Sequence, residues 1–335
     1  MTEPRFSVII PLRNKARHVA ASLASALSQF HAPEEVIVID DNSTDGSADI
    51  VAGVGSPLVR LLHRDQPGPG GYAARNLGIS EARGDWIAFL DADDLWHPRH
   101  LADIAAAISG VPEAGCVATR YMHVYENRKV PSSMPPQLAA AEGRAVDLAE
   151  FVRIWLAARE CPIWTGGSAF RRDVLLDAGL FPAGKAVRGG DKDLWLRAVA
   201  AAPFTYVSRI SAEFSRDSDN KVSKQTVTDT LPIIVSTAQH LMENATAEER
   251  ALLRRLVNQQ IGLYARFAFK GDHIPASFAR NLYLPEGIGL RLLIGGLRLM
   301  PMRMRRAFYH SVKAAGRHEP VVDAAQRSAT LEGDR

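Results

Sequence analysis

Three carboxylates, Asp91, Asp93 and Asp94, fall within four residues of one another in the stretch from Gly84 to Pro98. Acids that close repel each other in an empty site, and a divalent cation removes the repulsion. Hard carboxylate oxygens suit Mg²⁺ or Mn²⁺. The run before them, Trp86 to Leu90, is short and apolar, with aromatic and β-branched members. That is the pattern of a buried strand in a mostly parallel sheet. In open α/β sheets, ligands bind beyond the carboxyl ends of the strands. The chemistry implied is a metal site for a phosphorylated ligand. A lone Asp-x-Asp is also what an acidic surface turn looks like, so the surrounding elements decide.

A second pair of acids, Asp191 and Asp193, opens the segment Arg188-Gly-Gly-Asp-Lys-Asp-Leu-Trp-Leu-Arg. The spacing predicts a helix running to about Ala201. Acids in a first helical turn are favoured by the macrodipole, and Asp is a good cap. Capping and chemistry are equally open for both. The glycine-rich stretch Gln66 to Tyr72 lacks the Gly-Lys-Ser/Thr ending of a phosphate-binding loop and the glycine spacing of a dinucleotide fingerprint. It still allows close approach of a backbone to a ligand.

These residues need a scaffold, and the chain supplies one in order. Phe6 to Ile10, Val36 to Asp40 and Leu58 to Leu62 read as strands. Helices follow the first two: one capped at Asn14 with apolar positions Val19, Leu23, Ala26, Leu27 and Phe30, then Ser47 to Val54. Strand, helix, strand, helix, strand predicts a parallel sheet with right-handed crossovers. A helix over 73–82 leads to the strand that ends in the acids. Beyond it come a helix over 98–109, a strand over 116–124, a long loop over 127–145 and a helix over 147–159. The strand-like run 162–170 contains Trp164, Gly166 and Gly167. A last strand over 204–207 is followed by a polar stretch, 211–224. Helical patterns then fill 229–243, 247–270 and 288–315.

The totals bound the class. With 335 residues, 47% hydrophobic and 23% charged, the chain suits a globular protein of roughly two domains, or one large α/β domain with an appendage. We expect a domain over 1–225, a helical region over 226–317 and a disordered tail over 318–335. A net charge of +3 is too small to imply nucleic acid as a partner. Two cysteines without a CxxC pair indicate neither a zinc site nor a disulfide framework. No leader pattern or membrane span is visible, and the expected location is the cytoplasm.

Five pieces, in order, resemble family 2 glycosyltransferases of the GT-A fold. They are Ser7-Val-Ile-Ile-Pro-Leu-Arg-Asn, Val38-Ile-Asp-Asp-Asn-Ser-Thr-Asp-Gly-Ser, Ala74-Arg-Asn-Leu-Gly-Ile, Phe89-Leu-Asp-Ala-Asp-Asp and Gly190-Asp-Lys-Asp-Leu-Trp-Leu-Arg. The resemblance covers about residues 5 to 220. It implies inverting transfer of a sugar from a nucleotide-diphospho-sugar to a carbohydrate or lipid-linked acceptor hydroxyl; uracil suits as the base, and thymine or guanine offers a similar donor. It places Pro11, Asp41, Arg75, Asp91 and Ala92 around the nucleotide-sugar. It makes Asp93 or Asp94 the ligand of Mn²⁺ or Mg²⁺, and Asp191 the general base. Trp164, Gly166 and Gly167 are candidates for the acceptor pocket, although core packing explains Trp164 equally well. Two positions depart from the family: Gly190 stands where relatives often have Glu, and Arg216 is followed by Asp217 rather than a nearby His. The Gln-x-x-Arg-Trp motif of processive synthases is missing, which implies single additions. A nucleotidyltransferase and a non-catalytic nucleotide-sugar-binding relative are the competing readings.

From Gly287 to Arg317 there are seven basic residues and no acidic ones. Arg291, Arg298 and Arg305 recur every seven residues among Leu, Ile and Met. Such a stripe suits an anionic membrane surface, or a helix packed on the protein with its arginines in water.

Overall fold

A computed structural model describes residues 3–216, 230–268 and 274–305. The chain divides into two units, Met1–Thr226 with Pro232–Gln260, and Val227–Leu231 with Ile261–Arg335.

The first unit is built on one sheet of nine described strands. They are β1 (Phe6–Leu12), β2 (Glu35–Asp40), β3 (Val59–His63), β4 (Trp86–Phe89), β5 (Leu95–Trp96), β6 (Cys116–Tyr125), β7 (Arg128–Pro131), β8 (Ser168–Arg171) and β9 (Phe204–Ser215). The order is β3-β2-β1-β4-β8-β6-β9-β5, with β7 beside β6. The first four of these are parallel, as the alternation of strands and helices predicts. Every residue of β2 and β4 is buried, which is why both read as unbroken apolar runs. β8 then joins β4 and β6 antiparallel, while β6 and β9 are parallel.

Among the described residues, the helices up to Ala201 are α1 (Val19–Leu27), α2 (Ser47–Ala52), α3 (Tyr72–Glu81), α4 (His100–Gly110), α5 (Pro136–Ala139), α6 (Leu148–Ala158), α7 (Arg172–Asp177) and α8 (Gly190–Ala201). A further helix, Ile234–Asn244, packs on α8. An apolar cluster around Phe6, Val8, Leu23, Val38, Trp86 and Leu101 fills one side of the sheet. On α8, Trp195 is fully buried and stacks on Phe170 of β8 at 4.2 Å, with Phe89 of β4 at 5.8 Å. Aromatic contacts of this kind contribute roughly 0.5–1.5 kcal/mol beyond burial, and these hold α8 in place.

Several local expectations change. Asn14 does not cap α1, which begins after His18. It sits in the left-handed region at φ 51°, and its Oδ1 accepts from the Thr44 amide at 2.8 Å. The predicted loop over 127–145 contains β7 and α5. The final strand runs to Ser215, because register shifts between Thr119 and Tyr121 let β9 continue beside β6 past the point where its sequence turns polar. Both cysteines are free and buried, and burial pushes the Cys161 thiol up to about 12, so it is no nucleophile at neutral pH.

In the second unit, Ala276–Arg280 and Ile288–Leu299 are helical and contact each other. No described helix is long and apolar enough to cross a membrane.

Candidate active site

The register of the sheet brings the candidate residues to one rim. Leu12 at the end of β1 pairs with Asp40, and Asp40 pairs with His63, so three parallel strands end together. Ile9 pairs with Phe89, so β4 delivers Asp91 to Asp94 beside the end of β1. β8 runs the other way. Its first residue, Ser168, pairs with Phe89, which brings the preceding turn, Thr165–Gly167, to the same rim.

The loops after β1 and β2 are stitched together. Asp45 accepts from the Ala16 amide at 2.9 Å and from the Ser47 amide at 3.0 Å. Burial alone raises its carboxyl; hydrogen bonds from Ser47 and the Ala16 amide outweigh that and hold it below the usual range. The Lys15 amide donates to Ser47 Oγ at 3.1 Å. These bonds fix the backbone from which Lys15 projects.

Three acids at the rim each carry a basic partner from another element. Asp41, 2% exposed, is paired with Arg64, which follows β3, and also accepts from the Gly68 amide at 3.1 Å. Asp91 is paired with Arg75 of α3. Asp93 is paired with Lys15 at 2.8 Å. The repulsion that the sequence reading uses to call for a cation is therefore met by the protein's own side chains. Among the described residues, no group of three or more His, Cys, Asp or Glu is placed to hold a metal. A smaller donor set still fits Mg²⁺ or Mn²⁺, which are commonly held by one or two carboxylates together with substrate phosphates. Asp93, partly open at the rim, suits that role. Asp94 is 1% exposed, and its Oδ1 accepts from the Ser215 amide at 2.8 Å, tying β4 to the end of β9. Ala92 is 2% exposed and belongs to the apolar cluster.

Arg75 organises the glycine-rich turn. Its guanidinium also donates to the Gly70 carbonyl at 2.8 Å. Gly70 and Gly71 have φ of 70° and 66°, a region that glycine enters at no steric cost. A Cβ on Gly71 would lie 3.1 Å from Arg75 Nη1 and 3.5 Å from Pro11 Cβ. Pro11 thus lines the same corner as this turn.

Tyr72, at the start of α3, links the turn to α8. Its hydroxyl accepts from the Gly190 amide at 2.9 Å. Asp191 therefore stands one residue from a group bonded to the helix that carries Arg75. The two acids of α8 differ sharply. Asp193 is 2% exposed and bonded to Arg197 at 2.7 Å and to Thr237. Asp191 is half-buried, and among the described residues no hydrogen bond or ion pair engages its carboxylate. The glycine at 190 also has a reason. A Cβ there would come within 2.8 Å of both the Tyr72 ring and Pro182. The tyrosine ring fills the space a larger side chain would need.

Trp164 is half-buried, packed on Tyr121 at 4.4 Å and stacked on Phe214 at 5.0 Å. Its ring explains both glycines, since a Cβ on Gly166 would lie 2.5 Å from it and one on Gly167 3.1 Å. The Gly166 carbonyl accepts from Trp96 Nε1 at 2.6 Å. His123 joins the cluster, 5.8 Å from Phe214. Burial, then the nearby Arg216 charge, lowers its pKa. Arg216 itself lies over Phe214 at 4.8 Å. Asp217, the other departure from the family pattern, lies outside the described residues.

Sequence reasoning misses Lys15, Arg64 and Tyr72 as members of the site. The first two carried a signal, being basic residues just after strands that end at the acidic rim. Tyr72 carried none beyond its place after the glycines.

A parallel half-sheet with paired acids at its carboxyl rim, extended by an antiparallel strand and a helix that brings a further acid, defines a GT-A fold of the glycosyltransferase class. Residues 7–176, about half of the chain, match the family described as Glycosyl transferase family 2, and the chain belongs to that family. The succinoglycan biosynthesis protein ExoO of Rhizobium meliloti is 42% identical over 99 residues, 29% of this chain and 28% of that protein. Glycosyltransferase AglE of Haloferax volcanii is 29% identical over 60% of this chain and 63% of its own length. An uncharacterized glycosyltransferase of Nostoc, alr2836, is 31% identical over 51% of this chain and 52% of its own. The matches thus span from about a quarter to under two thirds of these relatives. Among solved structures, S. aureus TarS 1-349 in complex with UDP-GlcNAc superposes with a TM-score of 0.69 at 20% identity, covering 93% of this chain and 92% of that one. The Pyrobaculum calidifontis mannosyltransferase PcManGT, in complex with GDP-Man and Mn²⁺, gives 0.54 at 17% identity, covering 94% and 87%.

Proposed function

We propose that this chain transfers a sugar from a nucleotide-diphospho-sugar, a UDP-sugar, to the hydroxyl of a carbohydrate or lipid-linked acceptor, with inversion at the anomeric carbon. The observation that carries this reading is one run of contacts. Asp91 is paired with Arg75, Arg75 holds the Gly70 carbonyl, and Tyr72 two residues on binds the Gly190 amide next to Asp191. An unengaged carboxylate thereby shares a rim with the acids of the nucleotide side.

In this reading Asp41 accepts a hydrogen bond from a ring N–H of the base, held in place by Arg64 and the Gly68 amide. Asp91 and Arg75 face the ribose and phosphates near Pro11. Asp93 is the metal ligand in preference to Asp94, which is buried and whose Oδ1 accepts from the Ser215 amide. A divalent cation bound there would supply positive charge against that developing on the leaving diphosphate. Asp191 takes the proton of the acceptor hydroxyl as its oxygen attacks the anomeric carbon from the side opposite the diphosphate. The new C–O bond forms as the bond to the diphosphate oxygen breaks. Trp164 offers a half-exposed ring for the acceptor sugar. The likeness to ExoO supports a role in building a cell-surface polysaccharide or glycoconjugate; the TarS and PcManGT complexes support a nucleotide-sugar donor, and the Mn²⁺ of the PcManGT complex supports a divalent cation.

The test is a thermal-shift screen of UDP-, GDP- and dTDP-sugars with Mn²⁺ or Mg²⁺, followed by transfer or donor hydrolysis with the best binder. Ligands that bind the folded state raise the melting temperature. The expected result is a metal-dependent shift with a UDP-sugar and release of UDP. No shift with any nucleotide sugar, or pyrophosphate release from a nucleoside triphosphate, would overturn the reading.

A further inference from the structure

The helix Ile288–Leu299 is apolar on two sides. Ile294 and Leu297 are buried. Ile288, Leu292 and Leu299 are 55%, 71% and 88% exposed. At about 100° per residue these three fall within roughly 40° of one another, on the side away from the buried pair. Met300, Met302 and Met304 continue the exposed apolar surface just beyond the helix. Arg291 and Arg298, both exposed, lie together about a quarter-turn from the crest. Among the described residues nothing covers this second apolar face, and such a face calls for a partner. The glycines Gly289, Gly295 and Gly296 add to this. A Cβ on any of them would meet nothing within 4 Å, so no close packing among the described residues explains them.

We propose that this crest is a docking surface for an anionic phospholipid membrane. Charge argues for that occupant: residues 287–317 of the sequence hold seven basic residues and no acidic one, and among the described ones Arg291, Arg298 and Arg303 are exposed while Arg305 is buried. Size argues against a second copy of the chain. Burying a crest of a few large side chains covers on the order of 500 Å² per partner at most, whereas a stable protein interface takes about 800 Å². The helix is too short to span a bilayer. A short helix with leucines on one side and arginines on its flank lies in the interface plane, its apolar face among the acyl chains and its cations at the headgroups. The proposal does not depend on the donor or acceptor of the transfer reaction.

The full chain should be sedimented with vesicles of phosphatidylcholine alone and of phosphatidylcholine with phosphatidylglycerol, at low and high salt. We expect at least about fivefold more protein on the anionic vesicles at low salt, falling as salt screens the arginines. The double variant Leu292→Asn/Leu299→Asn should lose that binding, while its melting temperature stays near that of the parent because both side chains are exposed. Arg291→Gln should reduce the preference for anionic lipid while keeping the fold. Equal binding to neutral and anionic vesicles, or none to either, would overturn the proposal. So would a dimer in lipid-free solution that the double variant dissociates, since the crest would then belong to a second copy.

Discussion

Lys15 Nζ lies 2.8 Å from Asp93 Oδ2, with both side chains only 14% exposed. The lysine comes from the loop after β1 and the aspartate from the loop after β4. This pair puts a protein cation on the carboxylate we propose as the metal ligand. A divalent ion bound there would compete with the lysine for that carboxylate. Lys15→Met should tighten Mn²⁺ binding in the absence of nucleotide by roughly three- to tenfold, since removing a partly screened ion pair is worth about 1 kcal/mol. Electron paramagnetic resonance of free Mn²⁺ measures this directly. Unchanged or weaker binding would show that the two cations do not share the site.

The acids of α8 differ in engagement, and the proposed reading gives them different roles. Asp191→Asn should lower kcat by about a thousandfold or more, the scale of losing a general base and its contribution to orientation, while nucleotide affinity by calorimetry changes by less than about twofold. Asp193→Asn should act on stability. It weakens a buried charged contact with Arg197 and Thr237, at a cost of about 2 kcal/mol, read by urea unfolding. Near-normal turnover in Asp191→Asn would remove that residue from the role of base.

Gly190→Ala should be damaging although it adds only a methyl group. The new Cβ would press on the Tyr72 ring and Pro182 at 2.8 Å. Overpacking of this kind costs about 1–3 kcal/mol, and the shift it forces is transmitted to Asp191. We expect a lower melting temperature together with reduced kcat. Gly110→Ala is the control: a Cβ there meets nothing within 4 Å, so stability should hold or rise slightly. If the two variants melted alike, the fit of Tyr72 against Gly190 would not be what requires glycine.

Acid should weaken the first unit through His100. This side chain is fully buried, stacked on Trp96 at 4.4 Å, with Nδ1 2.8 Å from Ser211 Oγ and no partner for Nε2 among the described residues. Burial, and then the neighbouring His97, push its pKa down to about 3. The unfolded chain takes up this proton near pH 6.5, whereas the folded chain resists it until about pH 3. The stabilising contribution is thus present above about pH 6.5 and is lost as pH falls toward 3, reaching about 2 kcal/mol by pH 5. Urea unfolding at pH 7 and pH 5 should show a smaller difference for His100→Phe, which keeps the stack on Trp96. An equal difference in the two proteins would assign the acid sensitivity elsewhere.

What the sequence alone determined is the half of the molecule written in local patterns. The strands at the centre of the sheet are buried on both faces, so each appears as a continuous apolar run, and the helices between them leave only a parallel arrangement. The acids of the β4 end and of α8 are visible for the same reason, since each sits at a fixed place within or just beyond one element. Tertiary structure decided what those acids touch. Residues two apart on a helix point about 200° apart, so Asp191 and Asp193 had to differ, but only the packing of the Ile234–Asn244 helix on α8, with Thr237 and Arg197 on Asp193, settles which one is enclosed. The partners of the rim acids come from elsewhere in the chain: Lys15 is 78 residues from Asp93, and Arg64 is 23 from Asp41. Ion pairs between distant segments depend on strand register and loop packing, neither of which has a local signature. The same holds for the space beside Gly190, which the sequence shows as a small residue and only the fold shows to be filled by Tyr72.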